Sequence, residues 1–283
     1  MNKNVNKEGV AVGKCRVLIR GVNDVGSAVA HRLIEDGHVV VIHDVAQPTT
    51  SRRGMAFADA MFDGHAQLEG IQAHRADSLA DITARLNAEL SVANEAIVTA
   101  FDFTETLRVV KPRVLIDARM RKRAVPESQI WLAPITIGLG PNFTAGVTTD
   151  VVVETAYGED LGRVYSTGGT RPLAGEPREI DGRGRERFVY APVEGTVETD
   201  LGIGDLVTDQ EVVARIGTNL LRAPITGALR GLTHHGVPVT RGTKVIEVDP
   251  RGSKGNLYGV GMRPGQIADG IRMWLRLELV GCC

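Results

Sequence analysis

The sequence predicts an α/β protein in three parts. A Rossmann-like parallel-sheet domain occupies residues 14–150, a small all-β domain follows over 151–262, and residues 263–283 form a C-terminal helix and tail. Three observations carry this reading: strands and helices alternate through the first half, one motif recurs in the second half at a fixed offset, and the end of the chain has helical periodicity. A length of 283 residues suits two domains. The net charge of −1 argues against a general nucleic-acid binder, and an aromatic content of 4% argues against a stacking platform for single strands. No apolar run reaches the ~18 residues that would cross a bilayer. The polar start MNKNVNKEGVAVGK has no apolar signal region. The expectation is a cytoplasmic protein with no membrane contact.

The elements follow in order. Cys15–Arg20 (CRVLIR) is a buried parallel strand that ends at Gly21. Asp24–Glu35 places Val25, Ala28, Val29, Leu33 and Ile34 on one helical face, and Gly37 closes that helix. His38–His43 is a second strand and Gln67–Arg75 a hairpin around Gly70. Ser78 caps a helix running to about Leu90. Glu95–Ala100, Arg113–Asp117 and Pro134–Ile137 read as strands, with a short helix at Thr104–Val110. Such alternation makes a parallel sheet with right-handed crossovers.

A candidate ligand site lies along the carboxyl ends of these strands, where ligands bind open α/β sheets. The turn Gly21-Val22-Asn23-Asp24-Val25-Gly26 precedes a helix, so its N–H groups and the helix dipole can face an anion. Asn23 stands where the G-x-G-x-x-G fingerprint has its second glycine, which counts against NAD(P). Asp44 falls where an acid would bond a ribose hydroxyl. Arg52 and Arg53 follow the second strand; Arg119, Arg121, Lys122 and Arg123 follow the strand that ends at Asp117. Both clusters can clamp phosphates, or they are simply solvated loops. The loop Gly138–Gly146 offers Gly138 and Gly140 as a cradle, with Asn142 and Thr144 as donors.

The second half contains an internal repeat. Ala191-Pro192-Val193-Glu194-Gly195 returns as Ala223-Pro224-Ile225-Thr226-Gly227, 32 residues later, and at that offset Gly204, Val207, Val213 and Ile216 meet Gly236, Val239, Val245 and Val248. Two such units can interlock and cover each other's apolar faces. The arrangement resembles the barrel-sandwich hybrid fold of biotinyl and lipoyl carrier domains, at about residues 188–250. Those carriers place a lysine at the junction of their halves. Here the junction is Gly217–Arg222 with no lysine, and a guanidinium is no acyl acceptor, so no covalent biotin or lipoate is expected.

The tail, Pro264–Leu279, reads as an amphipathic helix with Ile267, Ile271, Trp274 and Leu275 on one stripe, suited to pack on the first domain or on another subunit of a homo-oligomer. His234 and His235 point apart in a turn, so no metal is expected there. Cys15 reads as core, and the pair Cys282-Cys283 as a frayed end.

The segments VLIRGVND (Val17–Asp24), AQPTTSRR (Ala46–Arg53), VLIDARMRKR (Val114–Arg123), IGLGPNFTAGV (Ile137–Val147), VETAYGEDLGRV (Val153–Val164) and DPRG (Asp249–Gly252) together resemble the YqeB family, accessory proteins of selenium-dependent molybdenum hydroxylase systems. The resemblance implies a role in maturing or inserting the molybdenum cofactor, with a molybdenum hydroxylase as partner. It also implies a molybdopterin dinucleotide or another nucleotide as ligand, held by Gly21, Asp24, Gly26, Arg52, Arg53, Asp117 and Arg121. Two alternatives stand beside it: an NAD(P)-dependent oxidoreductase, and a non-catalytic scaffold that docks a partner through the repeat.

Overall fold

The structure, a computed structural model, describes residues 13–88, 94–121, 124–173 and 177–280. Lys122, Arg123, Cys282, Cys283 and the end of the helix expected to reach Leu90 lie outside the described residues.

The first half builds strands β1 (Arg16–Arg20), β2 (Val39–His43), β3 (His65–Leu68), β4 (Ile71–Arg75), β5 (Glu95–Thr99), β6 (Val114–Asp117) and β7 (Ile135–Leu139). Between them run helices α1 (Asp24–Glu35), α2 (Ala60–Asp63), α3 (Leu79–Asn87) and α4 (Phe103–Val110). Short strands β8 (Thr144–Ala145), β9 (Val151–Val153), β10 (Val164–Tyr165) and β11 (Gly168–Gly169) follow. Nine strands form one sheet in the order β10-β9-β7-β6-β1-β2-β5-β4-β3. The apolar runs predicted from sequence supply its middle: Val17, Leu18, Ile19, Val40, Val41 and Ile42 are all fully buried, as strands covered on both faces require. Glu69 and Gly70, at φ 45° and 88°, make the tight β3–β4 turn, which needs left-handed backbone at both positions.

The second half contributes β12 (Phe188–Tyr190), β13 (Gly195–Glu198), β14 (Leu206–Val207), β15 (Val212–Ile216), β16 (Asn219–Arg222), β17 (Gly227–Leu232), β18 (Pro238–Val239) and β19 (Lys244–Asp249), then helix α5 (Met262–Glu278). They form two antiparallel sheets, β12-β19-β17-β14 and β16-β15-β13-β18. The repeat explains the pairing. The first strand of each copy bonds to the second strand of the other, β13 with β18 and β17 with β14. Val207, Val213 and Ile216 share one core with their equivalents Val239, Val245 and Val248.

These observations correct the expected fold class. The main sheet is mixed rather than parallel, because β3 and β10 run antiparallel to their neighbours at its two edges. It also continues past residue 150, where β9 extends it beside β7. A Rossmann-like parallel domain followed by a separate barrel-sandwich hybrid is therefore replaced by a large mixed sheet joined to two small antiparallel sheets. The joint is extensive: Ser51, in the loop after β2, accepts from Leu232 at the end of β17, and Arg53 Nε donates to the Leu232 carbonyl.

Helix α5 returns to the first unit and lies parallel to α1. Ile267, Ala268, Ile271 and Leu275 enter the core that holds Val25, Val29 and Leu33. Arg32 meets Asp269 at 3.0 Å, and the α1 C-cap Asp36 is held by Arg272 and by Arg276. The parallel setting brings both helix N-termini to the carboxyl edge of the sheet.

Candidate functional site

The β1–α1 turn is closed on itself. Asn23 caps α1, its Oδ1 accepting from Val25 N–H at 3.0 Å and Gly26 N–H at 3.2 Å, while its Nδ2 donates to the Ala118 carbonyl at 2.8 Å. Asp44 accepts the Val22 N–H at 2.8 Å. The N–H groups that would face a diphosphate thus have side-chain acceptors. The two glycines serve close packing. A Cβ on Gly21, at φ 111°, would lie 2.7 Å from the Ala118 oxygen, and one on Gly26 would lie 2.0 Å from the Gly21 oxygen.

The described arginines of the basic clusters are engaged in ion pairs as well. Arg53 binds Asp59 at 2.7 Å. Beyond β6, Asp117 is buried and accepts from Arg119 and from Gln129 at 2.7 Å. Glu127 collects Arg20 at 2.7 Å, Arg119 at 2.7 Å and Arg121 at 2.6 Å. Burial pushes the Glu127 carboxyl up, but hydrogen bonds from Arg121 and Arg119 hold it well below the usual carboxylate range. The 138–146 loop is spent on its own geometry. Gly138 makes room for the Phe143 ring, the Gly140 carbonyl accepts from Thr170 at 2.6 Å, Asn142 donates to Ala124 at 3.1 Å, and Thr144 N–H donates to Thr148 at 2.8 Å. The structure therefore separates the predicted residues into three tied groups along one edge. Asp24 and Arg52 are the two that it joins to something larger.

Arg52 bridges the two units. Its guanidinium donates to Asp24 at 3.0 Å and to Glu247 at 2.8 and 3.1 Å. Glu247 is completely buried and also meets Lys244 at 2.9 Å, Arg187 at 3.2 Å and Arg230 at 3.5 Å. Two β-bulges aim these side chains. The pairing of β12 with β19 slips between Val189 and Tyr190, and that of β17 with β19 slips around Arg230. A bulge re-aims a side chain in this way, so Lys244 and Glu247 reach the same point from one strand. Arg263, in the first turn of α5, donates to the Thr155 carbonyl at 2.7 Å and acts through space on Asp24.

Five cations, Arg52, Arg187, Arg230, Lys244 and Arg263, thus face three carboxylates, Asp24, Glu247 and Asp249, the last 3.6 Å from Arg230. Arg251 also binds Asp249, and the pair of Glu154 and Arg171 adds one charge of either sign, so cations stay in excess. Burial pushes the Glu247 carboxyl up, yet Lys244 and Arg52 hold it far below its ordinary value. Asp24 is likewise lowered overall, burial being outweighed first by Arg52 and then by Lys244. The starts of α1 and α5 add positive potential at the same place. Lys244 keeps about 30% of its side chain exposed and Arg52 about 26%, so the cluster is reachable from solvent.

Sequence reasoning missed Glu247, Lys244, Arg230 and Arg263. The available signal was weak: a charged Lys-x-x-Glu inside the second copy of the repeat, where the first copy carries Val212 and Arg215. Elsewhere, a surface hollow of about 470 Å³ between Gly54, Glu69 and Tyr258 has no such cluster, and a second of about 370 Å³ lies beside Leu206 and Pro250. His234 stacks on Phe62 at 4.0 Å, and no group of three metal-ligating side chains occurs among the described residues. Burial pushes the Cys15 thiol up to about 11. No described helix is long and apolar enough to cross a membrane.

Fold and site define a two-unit α/β protein with a charged junction at the carboxyl edge of its sheet. The uncharacterized protein YqeB of Escherichia coli (strain K12) is 35% identical over 255 residues, which are 90% of this chain and 46% of that protein. The chain belongs to the YqeB family, and it spans about half the length of that curated relative. No family model matches it. Among solved structures, it is similar to a succinylglutamate desuccinylase/aspartoacylase from Rhodobacter sphaeroides at 19% identity, TM-score 0.21, over 50% of this chain and 59% of that one. It is also similar to the product-bound ectoine utilization protein EutE (DoeB) from Ruegeria pomeroyi at 12% identity, TM-score 0.25, over 87% and 92%.

These findings correct the functional expectation. Arg53 and Arg121, meant to clamp a pterin dinucleotide, are held by Asp59 and Glu127, and the helix turn meant for its diphosphate is closed by Asn23 and Asp44. The molybdenum-cofactor maturation role implied by the resemblance is withdrawn. At TM-scores of 0.21 to 0.25 the likeness gives this chain no hydrolase activity in exchange.

Proposed function

We propose that this chain is a binding module for a small, multiply charged anion, taken at the junction between the mixed sheet and the antiparallel sheets. One observation carries the reading: five cations converge on three carboxylates beside the starts of two parallel helices. An uncompensated positive cluster in a half-buried setting favours an anion strongly, because solvent screens it poorly. Arg52, Lys244 and Arg263 are the residues with solvent access, and they would hold the ligand. Asp24 and Glu247 fix their side chains in place. A free helix-turn site for a dinucleotide is not part of the reading, since Asn23 and Asp44 occupy that turn. The proposal also places the protein in the cytoplasm.

Isothermal titration with inorganic phosphate, pyrophosphate, citrate, CTP and NAD tests it. Binding of the compact anions, weakened at least tenfold by Arg263→Ala and falling with salt, is the expected result. Selective binding of NAD would restore the oxidoreductase reading, and no binding of any anion would leave the network a clamp between the two units.

A further inference from the structure

The loop after β6 presents a tryptophan to solvent on a firm support. Trp131 is 92% exposed, and its backbone sits at φ 76°, a left-handed setting that disfavours bulky side chains. The segment that carries it is tied down. Gln129 is completely buried; its N–H donates to the Thr148 carbonyl at 2.7 Å and its Nε2 to Asp117 at 2.7 Å, while its Oε1 accepts from Arg20 at 3.0 Å. The Leu132 N–H donates to the Gln129 carbonyl at 3.1 Å, and Ser128 Oγ to the Val147 carbonyl at 3.0 Å. These bonds join the loop to the turn that holds Val147, itself 62% exposed. Val125, in the same loop, is 84% exposed, and Leu132 is exposed as well. A bulky residue held in a strained setting by its surroundings points to a functional contact.

The same surface marks a gap in the layering. A mostly parallel sheet is normally covered by helices on both faces. Helices α1 and α5 cover one face, and α3 and α4 cover β1, β2, β5 and β6 on the other. Ala133 packs on that second core, so the connection from β6 to β7 crosses the same face. Among the described residues this connection holds no helix, and the one from β7 to β9 holds only the short strand β8. Its Phe143 and Ala145 close inward on Val152, which leaves Val147 turned out. Charge is scarce here too. Between Ala124 and Pro134 the sequence has one charged residue, Glu127, and three arginines hold it. Residues 144–149 have none. Apolar, aromatic and uncharged is the composition of an interface core, not of a solvated loop.

We propose that this surface pairs with the same surface of a second copy of the chain across a twofold axis. An uncharged patch offers a strongly charged partner no complementary field, whereas it matches itself. The net charge of −1 sets little repulsion between copies. Trp131 alone would bury about 200 Å², a quarter of the roughly 800 Å² that each side of a standard interface covers. The two tryptophans are the anchors of the pair, and Val125, Leu132 and Val147 surround them.

Sedimentation of the full chain from about 1 to 100 µM tests the pairing, a range that spans ordinary micromolar association. The expected result is a reversible dimer. Its dissociation constant should rise by roughly tenfold or more in Trp131→Gly and in Val125→Glu, and stay unchanged in Leu277→Glu on the exposed side of α5. Glycine suits the left-handed backbone, so the Trp131→Gly monomer should melt no lower than the dilute wild-type chain. That melt separates a lost contact from a lost fold. A monomer throughout the range, or a dimer that both loop variants leave intact, would overturn the proposal. So would a dimer broken by Leu277→Glu alone, which would place the contact on α5.

Discussion

Removing the charge on Glu247 is the sharpest probe of the junction. The carboxylate is completely buried and holds Arg52, Arg187, Arg230 and Lys244 within 2.8–3.5 Å. Glu247→Gln keeps the shape but leaves all four cations short of their counter-charge. Breaking a buried ion pair from one side costs about 3–5 kcal/mol, because the abandoned partner stays buried. At ~2–4 °C per kcal/mol for a chain of this size, Tm should fall by roughly 10 °C. Urea unfolding should show a lower midpoint with an unchanged slope, since the surface exposed on unfolding is the same. A double-mutant cycle with Arg52→Met should show coupling of about 1–3 kcal/mol, because the two side chains share one network. The pH dependence has a definite sign. The folded Glu247 value is depressed, so its contribution is complete above the unfolded value of ~4.3 and is lost as pH falls through the lower folded value. The glutamine variant should lose part of that acid limb. A cost below about 1 kcal/mol, or additivity with Arg52→Met within ~0.5 kcal/mol, would refute the claim that this carboxylate organises the junction.

Other outcomes follow from the same structure. Gly26→Ala should destabilise by about 1–3 kcal/mol, read by urea unfolding, because its Cβ would sit 2.0 Å from the Gly21 oxygen and force the turn apart. Asn23→Ala removes the α1 cap and should cost about 1 kcal/mol, with faster amide exchange at Val25 and Gly26. Asp36→Asn should weaken the α1–α5 contact by about 1.5–3 kcal/mol at neutral pH and show less added loss on acidification, since Arg276 and Arg272 overcome burial to depress that carboxyl. Calorimetric melts at neutral and acid pH check it.

The sequence made local matters legible and left distant ones hidden. The β1–α1–β2 run was readable because buried strands are continuous apolar stretches and because α1 carries one apolar face. The repeat was readable because corresponding residues keep one offset without insertion. The mixed sheet was not, since β9 and β10 are two or three residues long and take their direction from pairing rather than pattern. The nucleotide turn was located correctly as a turn, but residue type alone did not reveal that Asn23 points inward to cap its own helix. The junction was the least visible. Asp24 and Glu247 lie more than two hundred residues apart, and Lys244 reaches Glu247 only through a bulge whose register no single strand encodes.

The return of α5 to α1 also sets a timetable for synthesis. Val25, Val29 and Leu33 emerge early, yet Ile267, Ile271 and Leu275, which complete their core, are made more than two hundred residues later. At ~5–20 residues per second, the first helix waits some tens of seconds on the ribosome with its apolar side uncovered. The first unit therefore cannot finish folding in the order in which it is translated. A nascent chain stalled before residue 262 should therefore expose the apolar face of α1 and show more chaperone contacts there than the finished chain.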